Sequence, residues 1–121
     1  MIDVDHFKKI NDRHGHEAGD VVLREVSDAI RGTFRTSDLV CRWGGEEYLV
    51  YLPGADLKNA ITLAERLKDS VATRAYSVDT SITISAGIAL LSQDDRLEDV
   101  VRRTDEKLYE AKNSGRNRVC Y

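Results

Sequence analysis

Four acids carry the first hint of chemistry in this chain. Asp3 and Asp5 stand where a short apolar run gives way to polar residues, and Glu46 and Glu47 directly follow the pair Gly44-Gly45. Carboxylates gathered at one place repel one another unless a cation sits among them. Mg²⁺ is the natural occupant, since it takes oxygen ligands and binds through one or two carboxylates together with substrate phosphates. Glycine beside such acids lets a nucleotide approach the backbone closely. The same residues also suit plain solvated turns on separate surfaces, and taken alone they leave both readings open.

The elements that must position these acids follow from periodicity and turn chemistry. Met1 to Asp5 reads as a strand ending in acids. Phe7 and Ile10 give Phe7 to Arg13 a helical spacing that stops at His14-Gly15-His16. Val22, Val26, Ala29 and Ile30 form one stripe on a long helix over Glu17 to Arg35. The apolar runs Leu39 to Trp43 and Tyr48 to Leu52, joined through Gly44-Gly45, predict a β-hairpin, because a tight turn needs positive φ.

Asp56 can cap a third helix whose stripe is Ala60, Leu63, Ala64, Leu67 and Val71. Alternation at Ile82, Ile84, Ile88 and Leu90 predicts a strand over Ser81 to Leu91, with Gly87 as a close-approach point. Asp94 or Asp95 is the expected cap of a last helix that Gly115 stops. Arg118 to Tyr121 reads as a final edge strand. Helices interleaved with a hairpin point to an α+β domain: a mixed, mainly antiparallel sheet of about five strands flanked by helices.

The chain has 121 residues, enough for one domain with a real core. At 41% hydrophobic and 32% charged it is too apolar for disorder. A net charge of -3 gives no basic excess of the kind nucleic-acid binding needs. No apolar run is long enough to span a bilayer, and no signal peptide is visible. Cys41 and Cys120 have no metal-type spacing and read as two reduced core thiols of a cytosolic domain. His6, His14 and His16 read as turn and surface histidines.

These segments together resemble the GGDEF family of diguanylate cyclases. Asp3 to Asp12, with His14-Gly15-His16 and Gly19-Asp20, looks like the family's opening motif. Arg42-Trp43-Gly44-Gly45-Glu46-Glu47-Tyr48 matches its signature in the Glu-Glu form. Thr83 to Ala89 and Asp105 to Val119 match its later segments, in the expected order and from end to end. The resemblance implies a palm-like fold over residues 1–121 and condensation of two GTP into cyclic di-GMP with release of two pyrophosphates. It implies Mg²⁺ as the cofactor, with Mn²⁺ as an alternative.

Residue by residue, the resemblance implies that Asp3, the Val4 carbonyl and Glu46 hold the metal, with Glu47 joining a second ion. Glu46 is also the implied base for the attacking 3'-hydroxyl. Gly44 and Gly45 would admit the phosphates and ribose. Lys8, in a catalytic role, and Lys112 and Arg116 would neutralise phosphates and the charge building on the α-phosphoryl group. Asn11 and Asp20 would read the guanine edge, and Phe7 and Leu23 would wall the pocket and extend the core. By residue type alone, Asn11 and Asp20 also suit helix capping, and Lys112 also suits a helix C-terminal dipole.

Arg35, Asp38 and Arg66 match the family's inhibitory product site, which binds cyclic di-GMP. Arginine suits guanine faces and phosphates, which it stacks on or grips with two hydrogen bonds. Tyr48 replaces the usual Phe and needs a partner for its hydroxyl. Thr104 and Ala86 look like core adjustments. The family's first helix and most of its first strand precede the position of Asp3, so the chain is expected to begin inside that strand with apolar surface left open. A cyclic product needs two domains facing each other, so a homodimer and an upstream sensory or receiver domain are implied. The competing reading is a catalytically silent module that binds cyclic di-GMP or GTP.

Overall fold

The computed structural model describes all 121 residues. Nine elements follow in chain order: β1 (Ile2–Val4), α1 (Phe7–His14), α2 (His16–Thr33), β2 (Leu39–Gly44), β3 (Glu47–Tyr51), α3 (Leu57–Thr73), β4 (Ile84–Gly87), α4 (Leu97–Asn113) and β5 (Val119–Cys120). The five strands form one sheet in the order β2-β3-β1-β4-β5. All neighbours are antiparallel except β4 and β5, which run parallel. The expected mixed α+β architecture is therefore the observed one.

Side-chain alternation along a strand divides this sheet into two faces. Ile2 and Val4 of β1 lie beside Tyr48, Ile84 and Ala86. These join Val22, Val26, Ile30, Leu67 and Val71 from α2 and α3 in the main core. Tyr48 is buried there, and its hydroxyl has two partners, the Leu23 carbonyl at 3.1 Å and Ser27 Oγ at 2.9 Å. Its polar tip is thus satisfied, as a buried tyrosine requires.

The other face is covered by α4. Gly87 is the point of contact: a Cβ there would lie 2.2 Å from the Thr104 carbonyl oxygen and 2.3 Å from the Leu108 nitrogen. Asp3, Ser85 and Glu47 share that face, since Asp3 is opposite Glu47 on one side and Ser85 on the other. The central strand therefore carries its acid on the face where the last helix lies.

Several local expectations change. The strand expected over Ser81 to Leu91 is only Ile84–Gly87, because β1 offers three residues to pair with and β5 two. Asp56 caps α3 through Asn59 N–H at 2.7 Å, as expected. Neither Asp94 nor Asp95 caps α4; Arg96 holds that place without a side-chain cap. Asp95 instead accepts from Ser92 N–H and pairs with Arg103. Cys41 is not a core thiol: it is exposed, and Cys120 is half-buried. β2 is an edge strand whose six residues are all exposed, so strand patterning there does not report burial. Thr104 is buried with its hydroxyl on the Val101 carbonyl.

No helix is long and apolar enough to cross a membrane. A groove of ≈ 350 Å³, with Met1, Leu49, Tyr51, Leu97 and Val100 among its walls, is almost wholly apolar. It offers nothing for acid–base or phosphate chemistry, so the chemistry has to be sought at the polar edge.

Candidate functional site

Two strand ends and a hairpin turn bring the acids together. β1 ends at Val4, whose N–H donates to the Glu46 carbonyl at 3.2 Å. A residue in an extended strand presents N–H and C=O on the same edge, so the Val4 carbonyl also faces the hairpin. Asp3 lies directly opposite Glu47. Asp3 is buried, while Glu46 and Glu47 are half-buried. Burial pushes the Asp3 carboxyl above its ordinary value, Lys112 opposes that shift, and Glu46 and Glu47 add to it. Three of the four acids thus share one rim and feel one another's charge.

Asp5 leaves that group. Its carboxylate accepts from Thr83 Oγ1 and Ser85 Oγ at 2.7 Å each and from Asn117 N–H at 3.0 Å. The reading of Asp3 and Asp5 as partners in one acidic cluster is corrected: β4 and the α4–β5 turn take up Asp5.

The hairpin turn is built tightly. Gly45 has φ +35, a left-handed conformation that favours glycine. Arg42 donates from Nε and Nη2 to the Gly45 carbonyl at 2.8 and 2.6 Å. That arginine clamp is part of the site that residue types alone did not single out. A Cβ added at Gly44 would meet no atom of the chain within 4 Å. Packing therefore does not demand glycine at Gly44, and the bare backbone lies open to whatever approaches the turn.

Lys112 sits in the last turn of α4, and its ammonium lies 2.8 Å from Oδ2 of Asp3. It therefore serves the acidic rim rather than the helix dipole alone. Arg116 follows in the turn after α4, with φ +63, and Asn117 has φ +47. Lys8 is exposed in the first turn of α1 and takes part in no ion pair. No side chain caps α1; the N–H groups of Lys9 and Ile10 both donate to the His6 carbonyl, at 2.8 and 3.4 Å.

The α1–α2 corner holds the other candidates. Asn11 and Asp20 are interior helical residues, so neither is a cap. The Asn11 Oδ1 atom is buried with no hydrogen-bond partner in the fold. Gly19 makes its place: a Cβ there would come 1.8 Å from Asn11 Oδ1 and 3.2 Å from Phe7 Cζ. Asp20, the next residue, is exposed. Phe7 and Leu23 are buried core residues. Gly19 was legible only as a motif letter, because nothing in a helical glycine announces which side chain it makes room for.

No three Asp, Glu, His or Cys side chains are arranged as a ready metal cage. The donor set still fits Mg²⁺, which keeps several waters and relies on one or two carboxylates plus substrate phosphates. All the available donors are oxygens, and the buried Asp3 has cationic Lys112 on one side and anionic neighbours on the other.

Further along, Arg35 N–H donates to Asp38 Oδ2 at 2.8 Å, and Asp38 N–H returns to the Arg35 carbonyl at 3.0 Å. Arg66 on α3 donates to the Thr33 carbonyl, two residues before Arg35. Arg35 and Asp38 therefore close one turn just after α2, and Arg66 reaches the last residue of α2 from α3.

Known proteins resemble this chain over nearly all of its length. The family described as "Diguanylate cyclase, GGDEF domain" matches residues 1–118. Diguanylate cyclase DgcM of Escherichia coli (strain K12) is 43% identical over 119 residues, covering 98% of this chain and 29% of that protein. The active GGEEF domain of a diguanylate cyclase from Vibrio cholerae superimposes with a TM-score of 0.91 at 36% identity, over 98% of this chain and 78% of that one. The GGDEF domain of DgcB from Caulobacter crescentus, solved in complex with c-di-GMP, gives a TM-score of 0.94 at 33% identity, over 98% and 73%. The chain spans about a third or less of the length of the curated relatives it matches.

Proposed function

This chain belongs to the GGDEF, diguanylate cyclase family, and from that membership we propose that it condenses two GTP into cyclic di-GMP and two pyrophosphates. The observation that carries the proposal is the meeting of Asp3 with Glu46 and Glu47 across β1 and β3, beside the open Gly44-Gly45 backbone. One GTP sits on each copy of the domain, and two copies face each other across a two-fold axis, so that each 3'-hydroxyl meets the partner's α-phosphorus. Residues 1–121 carry the residues proposed to bind that GTP.

Asp3, the Val4 carbonyl, Glu46 and Glu47 would hold Mg²⁺. When bound, the ion lowers the pKa of the attacking hydroxyl and stabilises the departing pyrophosphate. Glu46 accepts the proton of the 3'-hydroxyl. Lys8, Lys112 and Arg116 supply the positive charge that the triphosphate and the loaded α-phosphoryl oxygens need, since phosphoryl-type transfer rests on positioning and electrostatics. Asn11, whose buried oxygen has no donor in the fold, would turn its side-chain amide outward to meet the guanine edge. The Asp20 carboxylate can accept from both N1–H and the 2-amino group, a pair adenine lacks. Arg35, Asp38 and Arg66 bind the product and slow further synthesis.

The test is cyclic di-GMP formation from GTP and Mg²⁺, followed against protein concentration. Specific activity should rise as the domain is concentrated or artificially dimerised, and Glu46→Gln should abolish it. Full activity in Glu46→Gln would remove the base and metal-ligand assignment. Binding of GTP and cyclic di-GMP with no turnover at any concentration would leave a regulatory module instead.

A further inference from the structure

We infer that Asp5 is a positioning residue that fixes the turn from which Arg116 departs. This rests on the phosphate role proposed for Arg116. Asp5 is 4% exposed, and both of its oxygens are engaged by the three donors of Thr83, Ser85 and Asn117. Its carboxylate therefore serves the β4 side of β1 and not the hairpin rim.

The turn it holds is unusual. Gly115, Arg116 and Asn117 have φ of 113, 63 and 47. Left-handed backbone is unfavourable for residues with a Cβ and persists where surrounding contacts impose it. Two contacts on this turn are local: Arg116 N–H to the Ala111 carbonyl and Arg118 Nε to the Arg116 carbonyl. For residues 115–117 the hydrogen bond to the sheet is Asn117 N–H to Asp5. Thr83 and Ser85 hold the carboxylate in the orientation that receives it. The direction of the Arg116 side chain is thus set from the first strand.

The experiment combines amide exchange at Asn117 with binding of a non-reacting GTP analogue in the presence of Mg²⁺. Asp5→Ala should lose Asn117 protection and weaken binding roughly tenfold, the scale of one charge-assisted hydrogen bond. In an Arg116→Ala background it should add no further loss, as expected for residues acting in series. Asp5→Asn should keep most of both properties. Its amide oxygen can serve Thr83 and Asn117, and its amide NH₂ can donate to Ser85 Oγ.

An Asp5→Asn chain that keeps Asn117 protected yet binds as weakly as Asp5→Ala would make Asp5 a metal ligand and overturn the inference. Additive losses in Asp5→Ala and Arg116→Ala would overturn it while leaving the Arg116 phosphate contact standing. Undiminished binding by Arg116→Ala would remove that contact and this inference together. If Asp5→Ala does not fold, Thr83→Val with Ser85→Ala frees the carboxylate, and the same pattern should appear at smaller amplitude. Unchanged Asn117 protection in that double variant would equally overturn the inference.

Discussion

The Lys112 ammonium lies 2.8 Å from Oδ2 of Asp3, fastening the last turn of α4 to the first strand. Asp3 is nearly buried, and Glu46 and Glu47 stand against its ionisation while Lys112 favours it. Lys112→Met should therefore leave an uncompensated carboxylate and cost about 1–3 kcal/mol of stability. Added Mg²⁺ should raise the melting temperature of the variant more than that of the parent, because the ion replaces the lost counter-charge. Equal melting temperatures, with and without Mg²⁺, would show that the pair contributes nothing.

Gly19 and Asn11 make a second linked pair. Alanine in place of a helical glycine normally gains up to about 1 kcal/mol. Here the new Cβ falls 1.8 Å from Asn11 Oδ1, but that atom ends a side chain that can swing away. Gly19→Ala should change stability by less than about 1 kcal/mol, while preference for GTP over ATP falls sharply. Denaturation and competitive nucleotide binding on the same sample separate the two effects.

Gly87→Ala has no such escape. Its Cβ would strike backbone atoms of Thr104 and Leu108, so α4 itself must move. Overpacking of this kind costs about 1–3 kcal/mol and occasionally more. The loss should reach activity as well, since α4 carries Lys112. A melting curve unchanged from the parent would contradict the packing described between β4 and α4.

The Arg103 guanidinium, with help from Ser92 N–H, holds the Asp95 carboxyl down to about 2 from an ordinary value of 3.8. A depressed carboxylate contributes stability that is present above its unfolded pKa and lost as pH falls through the folded one. The parent should lose this contribution between about pH 4 and pH 2. Asp95→Asn should show a flatter acid limb in thermal melts. A difference between the two that persists unchanged down to pH 2 would break the linkage.

Arg35→Ala should relieve inhibition by added cyclic di-GMP without lowering the initial rate. Arg35 lies in a turn closed on Asp38, two residues beyond the Thr33 carbonyl that Arg66 grips. Progress curves that still bend at the same product concentration would remove the inhibitory site from these residues.

Much of this was legible in the chain before any folding was considered. Stripes such as Val22-Val26-Ile30 report which side of a helix is buried, because burial repeats with the helix turn. The order of nine elements, the Gly45 turn and the Asp56 cap follow from such local signals, whereas the meeting of Asp3 with the hairpin acids was implied by the family resemblance and by no local signal.

Tertiary structure decided what local signals cannot carry. The alternation of Asp3 and Asp5 puts both acids on one face, yet Glu47 flanks one while Ser85, Thr83 and the Asn117 amide claim the other. That division depends on β4 lying beside β1 and on α4 returning across the same face, both set by contacts between distant segments. Cys41 looked like a core thiol because strand patterning cannot tell an edge from a centre. The place of a strand in its sheet is fixed by its neighbours, and a single strand's residues do not name them.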